Sequence, residues 1–363
     1  MWSNRRYLDL VGIEHPIIQA PMAGANLATM AIAVSQAGGL GSLPCGMLSV
    51  EQARAQMHLV RQQTDRPINM NFFCHQMPSP DEARQRRWRE RLSHYYAELG
   101  ADGSTVPSAN RAPFDEAMCS LALETAPRVV SFHYGLPKAQ TLDRLKTAGC
   151  LVQATATTVE EARWLEAHGA DAIVAQGFEA GGHRGMFLTD DLARQVGTMA
   201  LIPQVVDAVR VPVIAAGGIA DARGIAAAFA LGASAVQVGT GYLRCSEATI
   251  AEPYLVALRS ARDDDTVITN VMSGRQARGI VNRLIRELGP LSDLAPPFPL
   301  AAGAIQPLRT RAEAQGSGDF SPLWAGQAAP LARELNAGEL TKALAEEAQA
   351  LMAFRPPSAR APS

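Results

Sequence analysis

One ionisable side chain, His183, stands inside the glycine-rich run Q-G-F-E-A-G-G-H-R-G at 176–185, directly behind the apolar run Ala172–Gln176. Imidazole titrates near neutrality and serves as a general base, and with glycines beside it this ring has no bulky sequence neighbours to pack against. Two further apolar runs end the same way, in A-A-G-G-I at 215–219 and Q-V-G-T-G at 237–241. Only glycine turns backbone N–H groups freely toward a bound anion. These turns therefore predict a phosphate cradle of Gly217, Gly218 and Gly239, with Thr240 adding a hydroxyl. A helix expected to start near Asp221 would aim free N–H groups and a positive dipole end at the phosphate.

Amides complete the chemical set. Asn71, Gln176 and Gln19 end apolar runs, and a buried amide has to find partners. An amide that both donates and accepts suits the edge of an isoalloxazine ring or ribityl hydroxyls; a satisfied core amide is the open alternative for each. No G-x-G-x-x-G follows a strand and no G-x-x-x-x-G-K-[ST] occurs, so neither a Rossmann dinucleotide site nor a P-loop is supported.

Positioning these residues calls for a regular scaffold. Strand-like runs recur at Pro16–Ala20, Leu40–Leu43, Ile68–Phe72, Val129–Phe132, Leu151–Ala154, Ala172–Gln176, Val213–Ala216 and Ala235–Val238. Helical segments alternate with them, among them one from Ser49, where Ser49 and Gln52 make a capping-box start. Eight βα beats predict an α/β fold, a TIM-type (β/α)8 barrel with its chemistry at the strand C-termini. Residues 1–245 are assigned to the barrel, with a long polar excursion at 79–110 read as functional or lid-forming. Residues 246–354 read as a smaller, mostly helical substrate or lid region: a helix over Pro253–Ala261, a strand-like Thr266–Asn270, a helix near Gln276–Leu288, a linker over Gly289–Gly303 and a last helix over Leu331–Phe354. Residues 355–363 read as a disordered tail.

Bulk composition narrows the function. The chain has 363 residues, is 47% hydrophobic and carries a net charge of −2, which leaves no basic footprint for nucleic acid. The arginines between Arg84 and Arg91 are interleaved with Glu82 and Glu90 and read as a solvated helix face. The five cysteines show no C-x-x-C pair and no His ligands at metal spacing, so a reducing, cytoplasmic setting without a structural metal is expected. The longest uncharged stretch, Ile225–Leu243, is broken by glycines and polar residues and reads as a buried helix and strand rather than a membrane span.

Taken together, Q-A-P-M-A-G at 19–24, N-M-N-F-F at 69–73, V-S-F-H-Y-G at 130–135, the two glycine runs above, V-Q-V-G-T at 236–240 and S-G-R-Q-A-R-G-I at 273–280 give the chain its resemblance to the nitronate monooxygenases. More narrowly, it resembles the bacterial and fungal group with a catalytic histidine. The resemblance implies tightly held FMN. It has Pro21, Met22 and Ala23 approaching the ring through backbone, Asn71 and Gln176 binding it, and Gly181 offering its N–H. Gly217, Gly218, Gln237, Val238, Gly239 and Thr240 would hold the ribityl phosphate. His183 would be catalytic and His133 would line the substrate pocket, although a histidine held by a neighbouring carbonyl is the alternative for it. Ser273 and Arg275 would close the site from the second region, unless Arg275 simply pairs with an acid.

The implied reaction is oxidation of an alkyl nitronate, above all propionate 3-nitronate, by single-electron transfer to FMN through a flavin semiquinone and reaction with O2. Carbonyl compound and nitrite or nitrate result, in a detoxifying monomer or homodimer. A histidine near its pKa midpoint is expected to supply the electrostatic pocket for the anion. The rival readings are an NAD(P)H-dependent flavin reductase of quinones or enoyl thioesters on the same barrel, and a phosphate-binding barrel without redox chemistry.

Overall fold

Short, predominantly apolar runs suit strands covered on both faces, and this chain folds them that way, with buried polar side chains such as Asn69, Ser131 and Gln153 among them. The computed structural model describes residues 2–79, 81–104 and 111–353. Its strands are β1 (Ile17–Gln19), β2 (Gly41–Pro44), β3 (Ile68–Phe73), β4 (Val129–His133), β5 (Leu151–Ala156), β6 (Ala172–Gln176), β7 (Gly182–His183), β8 (Val213–Ala216), β9 (Ala235–Val238), β10 (Thr266–Thr269) and β11 (Ala277–Ile280). The helices are α1 (Arg6–Val11), α2 (Ala28–Gln36), α3 (Val50–Gln63), α4 (Glu82–Leu99), α5 (Glu116–Thr125), α6 (Ala139–Thr147), α7 (Val159–Ala167), α8 (Thr198–Ala208), α9 (Ala222–Ala230), α10 (Glu252–Ser260), α11 (Arg283–Leu288), α12 (Ala301–Ala314) and α13 (Ala337–Ala353).

The parallel sheet runs β1-β9-β8-β6-β5-β4-β3-β2. Its two ends meet through Leu40, whose N–H donates to the Ile17 carbonyl at 2.9 Å and whose carbonyl accepts from Gln19 N–H at 3.0 Å. The sheet is thereby closed into the expected (β/α)8 barrel. Helix α3 starts on the capping box: Gln52 N–H donates to Ser49 Oγ at 3.2 Å and Ser49 N–H to Gln52 Oε1 at 2.9 Å.

A second, three-stranded sheet in the order β10-β11-β7 was not foreseen. It replaces the helix expected near Gln276–Leu288. Residues 277–280 pair antiparallel with 266–269 on one side, and Ala277 and Arg278 pair with His183 and Gly182 on the other. Partners remote in sequence override the local helical pattern there, and α11 begins only after Asn282, whose side chain caps it by accepting from Ile285 N–H at 3.2 Å.

Above the barrel, Trp88, Leu92 and Tyr95 of α4 pack with Ala301, Ile305 and Leu308 of α12 and with Phe320 in a separate core. The run over Gly289–Gly303 is therefore not all linker: α12 starts within it because Ala301 and Ala304 have an apolar surface to cover. Of the arginines on α4, Arg86 and Arg87 are exposed as expected, whereas Arg84 donates to the Asp293 carbonyl at 2.7 Å. The last helix also differs from expectation. Residues 329–331 form one short turn, Asn336 caps α13 by accepting from Glu339 N–H at 2.8 Å, and Leu340 and Leu344 join the barrel's own core beside α2 and α9. Packing thus divides 246–354 between the cap and the barrel, and it joins the excursion helix α4 to the cap. Residues 105–110 of the excursion, Phe354 and the tail over 355–363 lie outside the described residues.

Candidate functional site

A cavity of about 240 Å³ lies at the C-terminal mouth of the barrel strands. Of the residues singled out by sequence, Pro21, Met22, Ala23, Asn71, His133, Gln176, Gly181 and His183 line it, as do Gly217, Gly218, Gln237, Gly239 and Thr240. Gln19, Val238, Ser273 and Arg275 do not. Gln19 is a core amide, accepting from Ser42 N–H at 3.0 Å and donating to the Ala20 carbonyl. Val238 is buried, and its carbonyl takes the Ala20 N–H at 2.8 Å.

The loop after β6 is built around a side chain that sequence reasoning passed over. Arg184 is fully buried, and its guanidinium donates to the carbonyls of Gly177 at 2.9 Å, Gly182 at 3.3 Å and Ala180. Three converging carbonyls take up the two terminal nitrogens of a planar fork that no carboxylate pairs among the described residues, while Nε is left without a partner there. Arg278 adds a hydrogen bond to the Phe178 carbonyl at 3.1 Å and lies over the Phe178 ring. Gln176 clamps the far end, Nε2 donating to the His183 carbonyl at 3.0 Å and Oε1 accepting from Gly185 N–H at 2.8 Å. Its amide is therefore mostly spent on the loop, leaving one N–H for a ligand. The only signal for this in the sequence is the H-R-G triplet itself.

Within this frame His183 is not isolated, as its glycine neighbours suggested. Its ring packs edge-on to Phe298 at 5.2 Å and against Trp324 at 5.3 Å, both brought from beyond the barrel. Nε2 lies 2.8 Å from Ser273 Oγ, and that hydroxyl donates onward to the Arg275 carbonyl at 3.3 Å. A hydroxyl has one proton, so the network assigns the imidazole proton to Nε2 and leaves the Nδ1 lone pair free, with no acceptor duty elsewhere among the described residues. Burial first, then the charge of Arg111, holds the imidazole well below its ordinary value. His183 is consequently neutral at pH 7, which corrects the expectation of a ring near its midpoint.

His133 is neutral too. Burial, with Arg275 second, lowers it to about 3. Nε2 donates to the His183 carbonyl at 3.3 Å and Nδ1 accepts from Thr155 Oγ1 at 3.1 Å, so the carbonyl-held alternative describes it, although one face borders the cavity. Ser273 acts on His183 rather than lining the pocket. Arg275 stacks over Tyr134 at 4.2 Å, donates to the Met186 carbonyl and lies 3.8 Å from the exposed Asp190.

Across the mouth, the loop after β8 presents backbone. Gly217 and Gly218 sit at φ +112° and +69°, and a Cβ on Gly217 would stand 3.1 Å from Ala180 N. Among the described residues the N–H groups of Gly218, Gly239 and Thr240 meet no backbone or side-chain acceptor. Helix α9 does not share in this cradle. The Asp221 carboxylate already caps it, accepting from Arg223 N–H at 2.9 Å and Gly224 N–H at 3.3 Å, so the predicted dipole contribution is cancelled by a resident negative charge. Thr240 Oγ1 accepts from Gly326 N–H at 3.0 Å and keeps its own proton to donate. At the β1 end, Met22 N–H is taken by Asn26 Oδ1 at 2.9 Å, while among the described residues the N–H groups of Ala23 and Gly24 meet no acceptor. Asn71 Nδ2 donates to Ser131 Oγ at 2.9 Å, and among the described residues no donor reaches its Oδ1 and Gln237 makes no side-chain hydrogen bond. Unclaimed N–H groups on one side and unclaimed amides beside them fit a phosphate joined to a polyhydroxyl chain and a flat polar ring, which is the shape of FMN.

Several lining residues were not foreseen. Arg111, Tyr254, Arg309 and Trp324 border the cavity from outside the barrel strands. Their local sequence carries no periodic or glycine signal, and only chain folding brings them to the mouth.

The nitronate monooxygenase family model matches residues 4–347. The chain is 44% identical over 345 residues to a nitronate monooxygenase of Pseudomonas aeruginosa, covering 94% of this chain and 98% of that protein. It is 44% identical to one of Paraburkholderia phytofirmans, covering 95% of each. Among solved structures, nitroalkane oxidase from Streptomyces ansochromogenes superposes with a TM-score of 0.85 at 38% identity, over 95% of this chain and 98% of that one. FabK from Thermotoga maritima superposes with a TM-score of 0.72 at 30% identity, over 97% of both chains.

Proposed function

The chain belongs to the nitronate monooxygenase family and is an oxidoreductase of that type; from this premise we propose that it oxidises alkyl nitronates, propionate 3-nitronate foremost, on tightly held FMN. O2 is the co-substrate, a carbonyl compound with nitrite or nitrate is the product, and the role is removal of a toxic nitronate in the cytoplasm, by a monomer or homodimer. No helix among the described residues is long and apolar enough to cross a membrane, and none of their His, Cys, Asp and Glu side chains cluster as metal ligands.

The residues divide the work. Gly218, Gly239 and Thr240 would hold the phosphate through N–H groups, with Gly217 shaping the turn. Asn71, Gln237 and the remaining N–H of Gln176 would meet the ribityl chain and ring, and Ala23 and Gly181 would approach by backbone. Bound there, FMN supplies the electron acceptor. A nitronate is already a carbanion, so no proton has to leave it. For a neutral nitroalkane the α-proton does have to leave, and the free Nδ1 of His183 can take it. Ser273 keeps that nitrogen unprotonated by accepting from Nε2, while Phe298 and Trp324 fix the ring and exclude water. His133 steadies the His183 backbone through its carbonyl.

A neutral His183, opening on a cavity edged by unclaimed glycine N–H groups, is the observation that carries this reading. The test is the absorbance of the purified protein mixed anaerobically with propionate 3-nitronate or with NADPH. Nitronate should reduce a yellow, FMN-loaded protein while NADPH leaves it oxidised. Bleaching by NADPH alone would make the protein a reductase, and a colourless protein that takes up no FMN would remove the redox reading altogether.

A further inference from the structure

We propose that Arg111 is the specificity-determining residue of this site, binding a carboxylate at the far end of the nitronate substrate; the proposal rests on the nitronate reading above. The cations near the cavity are occupied, with one exception. Arg184 is spent on loop carbonyls. Arg275 stacks on Tyr134 outside the cavity lining. Arg309 pairs with Glu313 at 2.7 Å. Arg111 alone among them lines the cavity with no hydrogen bond from its guanidinium and no carboxylate within ion-pair distance among the described residues. Its guanidinium lies 5.8 Å from the centre of the Phe298 ring, the same ring that His183 meets at 5.2 Å. The cation and the reacting end of the cavity are thus separated by one aromatic side chain.

A half-buried cation with no counter-ion among the described residues carries a desolvation cost, and here the cost is offset once a ligand brings the anion. Both histidines are neutral and offer no competing positive charge. A planar guanidinium matches a carboxylate by two parallel hydrogen bonds. With the nitronate carbon beside His183, a substrate of three or so carbons would carry its second anion past Phe298 to Arg111. A nitronate lacking that group would leave the guanidinium unpaired, and it is rejected for that reason.

The test compares propionate 3-nitronate with propyl-1-nitronate, in which a methyl replaces the carboxylate, on FMN-loaded wild type, Arg111→Met and Arg111→Lys. The measured quantity is the ratio of the two kcat/KM values within each protein, which cancels any general loss of active enzyme. Losing a charge-assisted pair should lower that ratio about 10- to 100-fold in Arg111→Met. Arg111→Lys, which keeps the charge and loses the fork, should fall between and still decides the matter if the methionine variant does not fold. Calorimetric binding of succinate against butyrate supplies a readout free of turnover: succinate should bind more tightly to wild type, and the advantage should vanish in Arg111→Met. An unchanged ratio, or equal losses on both nitronates, overturns the assignment, the latter pointing to a contact with the nitronate group itself. If wild type oxidises neither nitronate, the functional reading fails, and the succinate arm alone still supports or overturns an anion site at Arg111.

Discussion

The two glycine-rich loops at the barrel mouth look alike in sequence and are held in opposite ways. The loop after β6 is filled from within by side chains: Arg184 gathers its carbonyls and Gln176 ties the His183 carbonyl and the Gly185 N–H. The loop after β8 has no such filling. It depends on Gly217 and Gly218 at positive φ, and its side-chain tie is a shared one: the single proton of Thr198 Oγ1 lies between the Glu179 carboxylate at 2.7 Å and the Gly217 carbonyl at 2.9 Å. A loop that has to aim one imbalanced group, an imidazole, needs its backbone fixed against rotation. A loop that offers N–H groups to an anion needs only a backbone shape, and a side chain there would press on the neighbouring loop at Ala180, Thr198 and Glu179.

That contrast can be broken at either loop. The largest effect should come from His183→Asn, which removes the base from the side-chain-filled loop. Turnover of a neutral nitroalkane should fall by about 10²- to 10⁴-fold, while part of the activity on a preformed nitronate survives. Steady-state kinetics on both substrates decide it, and equal losses would end the division of labour assigned to Nδ1. Arg184→Met comes next. Three carbonyls lose their donor inside the fold, at about 1–3 kcal/mol for each group left unsatisfied, so thermal melting should drop by several degrees and His183 chemistry should fail with it. An unchanged melting curve would mean the loop does not need its filling.

Gly217→Ala tests the other loop. At φ +112° an alanine is strained by about 1–3 kcal/mol, and its Cβ presses on Ala180 N. FMN affinity, measured by fluorescence on release, should weaken roughly tenfold or more, with stability of the apoprotein less affected. Were stability lost and FMN affinity kept, the cradle would be structural rather than a binding surface.

The smallest effect is graded with pH. The folded pKa of His183 and His133 is depressed, to about 3 for His133, so the unfolded chain takes up protons that the folded one refuses. Stability is present above the unfolded value of about 6.5 and is lost as pH falls below it, by at most about 1.4 kcal/mol per pH unit for each histidine. Melting temperature against pH should show this decline, and His133→Gln should flatten it. The acid limb of nitroalkane kcat/KM should likewise lie below about 6.5.

Much of the fold was legible because barrel strands repeat a local pattern. Several runs, such as Val213–Ala216, end in glycine, and all eight strands lie where the runs predict, within a residue or two at each end. The strand over Ala277–Ile280 was not legible, since its identity depends on pairing with Gly182 and His183 about a hundred residues earlier. The site divides along the same line. Gly217, Gly218, Gly239 and His183 announce themselves by residue type beside glycine turns. Asn71 and Gln19 look equivalent as amides ending apolar runs, yet one borders the cavity and the other is consumed by Ser42 and Ala20.

The sequence by itself determined the barrel, the placing of the cradle glycines at two strand ends and the presence of one imidazole in a third glycine-rich turn before them. Each follows from short-range rules: which residues fill a covered strand, and which backbone turns only glycine allows. Tertiary structure alone decided the charge of that imidazole, the nitrogen it presents, the burial of Arg184 under its own loop and the arrival of Arg111, Phe298 and Trp324 at the cavity. Those properties arise from desolvation and from contacts between segments far apart in the chain, which residue type and spacing do not encode locally.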